Sequence, residues 1–124
     1  MDFAADRPIY MQIIEDFKRR MIRGELKTGD KIPSQREYAQ MVRVNPNTVQ
    51  RAYREMENMG LVETLRGQGT FVRVEEEMLM AMKKEMAEEI AERFVREMKD
   101  LGFDYEDIKM LVEKFLHKGG QSND

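Results

Sequence analysis

The chain of 124 residues has no cysteine and no tryptophan, and its single histidine is His117. Without cysteine the chain forms no disulfide and offers no thiolate ligand to a metal ion. One histidine cannot form a histidine metal site by itself. The sequence also lacks a glycine-rich phosphate loop and a plausible pair of catalytic acids. We therefore predict a protein that is not an enzyme and that uses no cofactor and no metal ion.

Long apolar runs are absent as well. None approaches the roughly 20 residues that span a bilayer, and the N-terminus lacks the apolar segment of a signal peptide. We therefore expect no membrane association and a cytoplasmic location. Hydrophobic residues make up 41% of the chain, aromatic residues only 8% and charged residues 36%. This balance predicts a helix-rich protein with one domain, or with one small domain and an appendage.

Charge is unevenly distributed along the chain. Residues 1–74 contain 13 Lys and Arg against 10 Asp and Glu, whereas residues 75–124 contain 8 against 14. The net charge of −3 for the whole chain hides this difference. Because nucleic-acid binding depends on where positive charge lies, the N-terminal part is the candidate for contact with phosphates.

Residues 44–55 carry the signals of a helix start. Asn45 can cap the helix, and Pro46 falls at the first helical position, where an N–H would have no partner. The polar face of this helix holds Asn47, Gln50, Arg51 and Arg54. Asn and Gln bind adenine bidentately and Arg binds guanine, so the face suits contact with base edges. A solvated helix face is the alternative, and the flanking segments decide between the two.

A second helix is predicted immediately before this one. Ser34 and Glu37 have the spacing of a capping box at its start. Only two residues separate its end from Asn45, so the two helices form a helix-turn-helix unit. Arg36 in its first turn either faces solvent or lies beside a phosphate or a base edge.

The first helix is predicted from Pro8 to about Arg23, after a loose lead-in over residues 1–7. Its last turns carry a basic cluster of Lys18, Arg19, Arg20 and Arg23. The cluster either complements the helix dipole or contacts phosphates.

Two β-prone runs follow the helix-turn-helix unit, at residues 61–65 and 70–73. Arg66-Gly67-Gln68-Gly69 joins them in the pattern of a β-hairpin. A hairpin in this place makes a winged helix, in which Arg66 can reach a minor groove, and a plain hairpin turn is the alternative. The predicted recognition helix covers about residues 45–59 and the predicted wing about residues 61–73.

From Glu75 onward the sequence predicts two amphipathic helices, over about residues 75–101 and 104–118. Gly119-Gly120 is expected to end the second, and a disordered tail is expected to follow. The two helices total about 40 residues, which is a thin core for an independent domain. We expect their apolar faces to pair with a second copy as a twofold dimer, and folding back onto the N-terminal domain is the alternative. The expected dimerisation residues are Leu79, Met82, Met86, Ile90, Phe94, Met98, Leu101, Ile108, Leu111, Val112 and Phe115.

Together these segments resemble the GntR family of bacterial transcriptional regulators. The resemblance lies in the order and spacing of short motifs between residues 8 and 73. The motifs include Pro8-Ile9-Tyr10-Met11-Gln12-Ile13, Gly29-Asp30-Lys31-Ile32-Pro33-Ser34, Val44-Asn45-Pro46-Asn47-Thr48-Val49, Arg51-Ala52-Tyr53 and Gly67-Gln68-Gly69-Thr70-Phe71-Val72. The short two-helix C-terminal region is similar to that of the YtrA subfamily.

The resemblance implies a mainly α fold with a small β-hairpin. It implies a winged helix-turn-helix domain over residues 1–74 and a helical dimerisation region over residues 75–124. Many relatives have an Arg where this chain has Pro46, and proline cannot donate a hydrogen bond, so base recognition is expected to rest on Asn47, Gln50, Arg51 and the wing. The implied DNA contacts are Ser34, Arg36, Asn45, Asn47, Thr48, Gln50, Arg51, Arg66, Gly67 and Gly69.

The predicted function is sequence-specific DNA binding by a transcriptional regulator, expected to be a repressor that binds a palindromic operator in double-stranded DNA as a homodimer. A helical protein–protein adaptor with a vestigial winged helix is the alternative, and it would show no operator preference. Two C-terminal helices leave little room for the pocket of roughly 300 Å³ or more that a small-molecule effector needs. An effector would therefore act at the dimer interface or on a hinge near Val74-Glu75.

Overall fold

The computed structural model describes residues 2–122, with the side chains of residues 2–118. This range contains five helices and one antiparallel sheet of three short strands. None of its helices has the length and apolar character needed to cross a membrane. The elements are α1 (Ile9–Ile22), β1 (Lys31–Ile32), α2 (Gln35–Val42), α3 (Pro46–Asn58), β2 (Val62–Leu65), β3 (Gly69–Val72), α4 (Glu76–Asp100) and α5 (Tyr105–Ser122). The chain divides into two compact units, Met1–Lys83 and Lys84–Asp124.

The predicted hairpin is present, and a third strand joins it. β2 and β3 pair antiparallel with Thr64 opposite Thr70, and the hydroxyls of these two residues lie 3.0 Å apart. β1 pairs with the other edge of β3, with Lys31 opposite Phe71. The sequence predicts only an extended connector there, because two residues are too few to show the period-2 pattern of a strand.

Three aromatic side chains form the centre of the first unit. Phe17 of α1, Tyr38 of α2 and Tyr53 of α3 lie with ring centroids 5.1 to 6.0 Å apart, a separation at which edge and tilted contacts are favourable. All three side chains are buried. Because each ring comes from a different helix, this cluster fixes α1 against the helix-turn-helix unit.

Residues 3–7 before α1 are held in place, so the prediction of a loose lead-in over residues 1–7 is wrong for these residues, and Met1 lies outside the described residues. The carboxamide of Gln12, which is buried, donates to the carbonyl oxygens of Ala4 and Arg7 at 2.8 and 2.9 Å. Its oxygen accepts from the backbone N–H of Ala4 at 2.7 Å. Phe3 packs against the core in addition. Satisfying a buried amide in this way is what orders the lead-in.

The start and the end of α2 differ in how well the residues suit their conformations. Ser34 and Glu37 form the predicted capping box, with both hydrogen bonds at 3.1 Å. The backbone N–H of Ser34 holds the pKa of the Glu37 carboxyl below its usual value. At the other end Arg43 has a φ of +56°, in the left-handed region that glycine usually occupies.

The first turns of α4 belong to the first unit. Val74 is buried, and its carbonyl oxygen accepts from the Thr28 hydroxyl at 2.5 Å. Met82 is buried in the same core, and Leu79 packs against it. The compact units divide at Lys83–Lys84, because the start of α4 covers the winged-helix core. The domain boundary at residue 74 and the hinge near Val74-Glu75 stay predictions.

The second unit comprises the rest of α4 and α5. Asp104 and Asp107 cap α5 reciprocally through backbone N–H bonds of 3.0 and 3.2 Å. The helix continues to Ser122, past the glycines that were expected to end it. Glycine costs a helix only about 1 kcal/mol per residue and does not block its hydrogen bonds. The disordered tail predicted over residues 121–124 stays a prediction, and residues 123–124 lie outside the described residues.

Candidate nucleic-acid interface

The start of α3 is built as its sequence predicts. The side-chain oxygen of Asn45 accepts from the backbone N–H of Asn47 at 2.7 Å, and Pro46 occupies the first helical position. The backbone carbonyl of Asn45 accepts from Thr48 and Val49 at 3.0 and 3.2 Å. The helix is therefore closed at its N-terminus without any external partner.

The two faces of α3 separate as expected. Its apolar face consists of Val49, Ala52, Tyr53 and Met56, and each of these residues is at most 2% exposed. The outward residues Asn47, Gln50, Arg51 and Arg54 are exposed, and Thr48 is half-buried. The side chains of α3 that were predicted to contact DNA are thus free of the core.

Two neighbours border the outward face of α3. On one side Glu57 accepts from the backbone N–H of Thr64 at 3.2 Å, which ties the end of α3 to the wing. On the other side the Arg51 guanidinium lies over the Tyr10 ring of α1 with its carbon 3.8 Å from the ring centroid, and it donates to the Tyr10 hydroxyl at 3.1 Å. The exposed strip that carries Asn47 and Arg54 runs between these borders.

The arginines of the first unit fall into two groups. Several have carboxylate partners: Arg7 with Glu15 at 2.6 Å, Arg20 with Asp16 and Glu25, Arg23 with Glu25, and Arg73 with Glu63 at 2.9 Å. In contrast, no ion pair within residues 2–118 involves Arg19, Arg36, Arg43, Arg51, Arg54 or Arg66. Five of these six lie in α2, α3, the turn between them or the wing turn, and these segments therefore carry uncompensated positive charge, as an anionic partner requires.

The same contrast bears on the basic cluster at the end of α1. Arg20 and Arg23 both lie within 4 Å of Glu25, so internal ion pairs account for half of the cluster. Lys18 and Arg19 have no carboxylate partner among the described side chains. The end of α1 thus carries less free positive charge than its sequence implies.

Arg36 lies beside the start of α3. It lines a surface depression at the α2–α3 junction together with Gln40, Val44 and Pro46. Ser34, two positions before, uses its hydroxyl to cap α2. The structure therefore brings Arg36 to the start of α3, while the Ser34 side chain serves the helix.

The wing turn depends on two glycines with positive φ, Gly67 at +79° and Gly69 at +126°. A Cβ at Gly69 would lie 2.6 Å from Cε of Lys31, so the side chain of Lys31 crosses the base of the turn. Arg66 is exposed at the turn itself. The sequence gives no sign of Lys31, because only the pairing of β1 with β3 brings it there.

Tyr10 is also missed by the sequence. It is separated from Arg51 by 41 positions, and its spacing within α1 marks it only as part of an apolar face. No sequence pattern indicates the contact between Tyr10 and Arg51, because it forms only where α1 crosses α3.

The residues expected at a dimer interface are distributed over both units. Met82 is buried and Leu79 is half-buried in the winged-helix core, so they are already covered within one chain. In the second unit Met98 is buried, and Met86, Ile108, Leu111 and Val112 are half-buried. The exposed members are Ile90, Phe94, Leu101 and Phe115.

Comparison with known proteins gives a consistent result. Residues 9–72 match the family described as "Bacterial regulatory proteins, gntR family". The chain is 44% identical over 117 residues to the uncharacterized HTH-type transcriptional regulator YhcF of Bacillus subtilis, a match that covers 94% of this chain and 97% of YhcF. It is 36% identical over 127 residues to the HTH-type transcriptional repressor YtrA of the same organism, covering 100% of this chain and 98% of YtrA.

Solved structures agree with the sequence matches. A GntR family transcriptional regulator from Listeria monocytogenes superposes with a TM-score of 0.79 at 35% identity, over 90% of this chain and 98% of that one. YtrA from Sulfolobus acidocaldarius superposes at 0.54 and 26% identity, over 95% and 96%. The DNA-binding domain of AraR, solved in complex with operator ORX1, superposes at 0.53 and 28% identity, over 57% and 92%.

These matches confirm the predicted fold class: a mainly helical chain with a small hairpin wing. The full-length similarity to YtrA extends beyond the winged helix to the short C-terminal region. The chain therefore belongs to the GntR family of bacterial transcriptional regulators, as a YtrA-like member, and it is a DNA-binding regulator and not an enzyme.

Proposed function

We propose that the protein is a transcriptional repressor that binds an inverted-repeat operator as a homodimer. The observation that carries the proposal is that each unit has a surface suited to a partner. The first unit has arginines without ion pairs around α3, and the second has exposed apolar side chains. Repression is supported by the similarity to the repressor YtrA over the whole chain. Binding of operator DNA is supported by the similarity to the AraR domain. We place the protein in the cytoplasm, because the proposed operator lies in the bacterial chromosome.

The apolar surface of the second unit calls for a partner. Ile90, Phe94, Leu101 and Phe115 are 37 to 73% exposed there. Burying apolar surface gains about 25 cal/mol per Å², so leaving these side chains in water is unfavourable. A second copy supplies the same residues in an isologous, self-complementary contact, and this makes it the simplest occupant.

A twofold dimer would present two α3 helices to DNA. In helix-turn-helix dimers the half-sites lie about 34 Å apart, which is one turn of the duplex. We assign base contacts to the outward strip of α3, chiefly Asn47 and Gln50, since amides bind adenine bidentately. Arg36 and Arg66 flank the strip from α2 and the wing turn and are suited to the backbone.

The oligomeric state is tested by light scattering at micromolar concentration. Wild-type protein is expected to be a dimer, and Ile90→Asp is expected to be a folded monomer because it places a charge in the apolar surface. Lys84→Asp is the matched control, since it adds the same side chain at an exposed polar position of α4. A monomeric wild-type protein would contradict the proposal.

DNA preference is tested by selecting duplexes from a random pool. The proposal expects a palindrome to be enriched, bound far more tightly than a scrambled duplex and bound weakly by Ile90→Asp. A reporter with the selected palindrome across its promoter should fall in expression when the protein is present. Failure to enrich any palindrome would instead favour the adaptor hypothesis.

A further inference from the structure

We propose that Tyr10 and Arg51 together form a phosphate-binding site at the edge of the recognition helix, so that Arg51 binds the DNA backbone and not a base. The inference rests on the proposed operator binding. It also reassigns a residue that the sequence places among the base contacts.

The first support is that Arg51 is held in one position. Its guanidinium carbon lies 3.8 Å from the Tyr10 ring centroid, well within the roughly 6 Å range of a cation–π contact. One of its terminal nitrogens also donates to the Tyr10 hydroxyl at 3.1 Å. A guanidinium fixed by both a ring and a hydroxyl cannot swing to the centre of the groove without breaking both contacts.

The second support is the position of Arg51 on α3. With 3.6 residues per turn, Asn47 lies almost opposite the buried face, and Arg51 and Arg54 lie on either side of it at about equal angles. Arg51 is on the side toward α1, where its guanidinium contacts Tyr10. The contact with Tyr10 therefore holds the guanidinium at the α1 border of the outward face, beside the strip that carries Asn47 and Arg54.

The third support is the set of donors that remain. Arg51 has no carboxylate partner among the described side chains, and a guanidinium has five N–H donors, of which one contacts Tyr10. Because the Tyr10 oxygen accepts from Arg51, its own O–H remains to donate. Arg7, the other arginine near this end of α1, is already paired with Glu15 at 2.6 Å. The pair thus places a guanidinium without a carboxylate partner next to a hydroxyl that can donate. A phosphate is bound by donors of this kind.

The test compares two 30-base-pair probes, the selected palindrome and a scrambled duplex, over a range of salt concentrations. Arg51→Ala is expected to weaken both probes by the same factor, about tenfold, since hydrogen bonds to charged groups are lost. The slope of log affinity against log salt should fall by about 0.9 for each Arg51 removed, because one phosphate is no longer neutralised. A merely structural role would not move this slope.

Tyr10 is tested by two further variants. Tyr10→Phe keeps the ring and removes the hydroxyl, so it is expected to weaken both probes about threefold with an unchanged salt slope, in line with one neutral hydrogen bond. Arg51→Lys keeps the charge and should retain the slope while losing affinity. Tyr105→Phe and Arg96→Ala, both exposed residues of the second unit, are the matched controls and should bind as wild type.

Two results would overturn the proposal. A loss confined to the palindrome, with the scrambled duplex unaffected, would make Arg51 a base contact. An unchanged affinity for both probes, with only the melting temperature lowered, would reduce the pair to a packing contact between α1 and α3. If wild-type protein prefers no palindrome, the operator proposal fails, yet the scrambled duplex still tests the phosphate site.

Discussion

The hydroxyl of Tyr53 donates to the carbonyl oxygen of Pro33 at 2.6 Å. This bond joins α3 to the residue immediately before the cap of α2, so it fixes the two helices of the helix-turn-helix unit relative to each other. The Tyr53 ring is buried between Phe17 and Tyr38. Burial raises the pKa of Tyr53 far above its ordinary value of 10.0.

Tyr53→Phe should therefore lower the free energy of unfolding by about 1–2 kcal/mol at pH 7, because it leaves the Pro33 carbonyl without its donor. The folded-state pKa is raised, so the hydroxyl stabilises the protein fully below pH 10 and loses this contribution as pH rises further. Urea titrations at pH 7 and pH 11 should show a smaller alkaline loss for Tyr53→Phe than for wild type. Tyr38, whose pKa burial raises to about 12, accounts for a remaining alkaline loss. Equal losses in the two proteins would contradict this account.

The tight turn between α2 and α3 places Arg43 in a strained backbone conformation, with a φ of +56°. The left-handed conformation costs a non-glycine residue about 1–2 kcal/mol, and the greater freedom of glycine in the unfolded chain offsets about half of this. Arg43→Gly should therefore stabilise the protein by up to about 1 kcal/mol. Arg43→Val should destabilise it by at least about 1 kcal/mol, because β-branched residues tolerate positive φ poorly. Chemical denaturation of the two variants measures the contrast, and a more stable valine variant would refute it.

The features that could be predicted from the sequence are those whose causes lie within a few residues. The cap of Asn45 with Pro46 and the box of Ser34 with Glu37 are set by local backbone hydrogen bonds, so their spacing alone identifies them. The hairpin is similarly local. These elements, with their order, also carried the family resemblance.

The features that the sequence missed depend on partners far along the chain. Periodicity shows that Met82 belongs to an apolar face, but it does not say which surface covers that face, and the winged-helix core does. The stacking of Arg51 on Tyr10 requires the crossing of two helices. Gln12 orders the lead-in through hydrogen bonds to the backbone of Ala4, and no sequence motif predicts these bonds.

Gly69 and Lys31 offer a test of the wing. Gly69→Ala should cost more stability than Gly67→Ala, since Gly69 combines a φ of +126° with the approach of Lys31, whereas the space beside Gly67 is open. We expect a difference of about 1 kcal/mol, of the order reported for strained backbone positions. A double-mutant cycle should show Gly69→Ala costing about 0.5 kcal/mol less in a Lys31→Ala background. A coupling of zero would mean that Lys31 simply moves aside.

Met82 and Ile90 lie on the same helix and should respond differently to truncation. Met82→Ala should cost about 2 kcal/mol or more at every protein concentration, because it opens a cavity in the core of one chain. Ile90→Ala should cost little in dilute protein and more as concentration rises, since stability gained from association follows mass action. Urea denaturation over a hundredfold range of concentration distinguishes the two, and a concentration-independent Ile90→Ala would speak against a dimer contact.

The cap of α3 has a consequence for how relatives of this protein diverge. The side-chain oxygen of Asn45 accepts from the backbone N–H of Asn47, and the side chain of Pro46 has no polar group. The residues that form the helix start are therefore different from those that face outward. Exposed positions such as Gln50 and Arg54 can change at almost no cost in stability. New operator preferences are therefore accessible by single substitutions that leave the scaffold intact, and the capping residues set the boundary of that freedom.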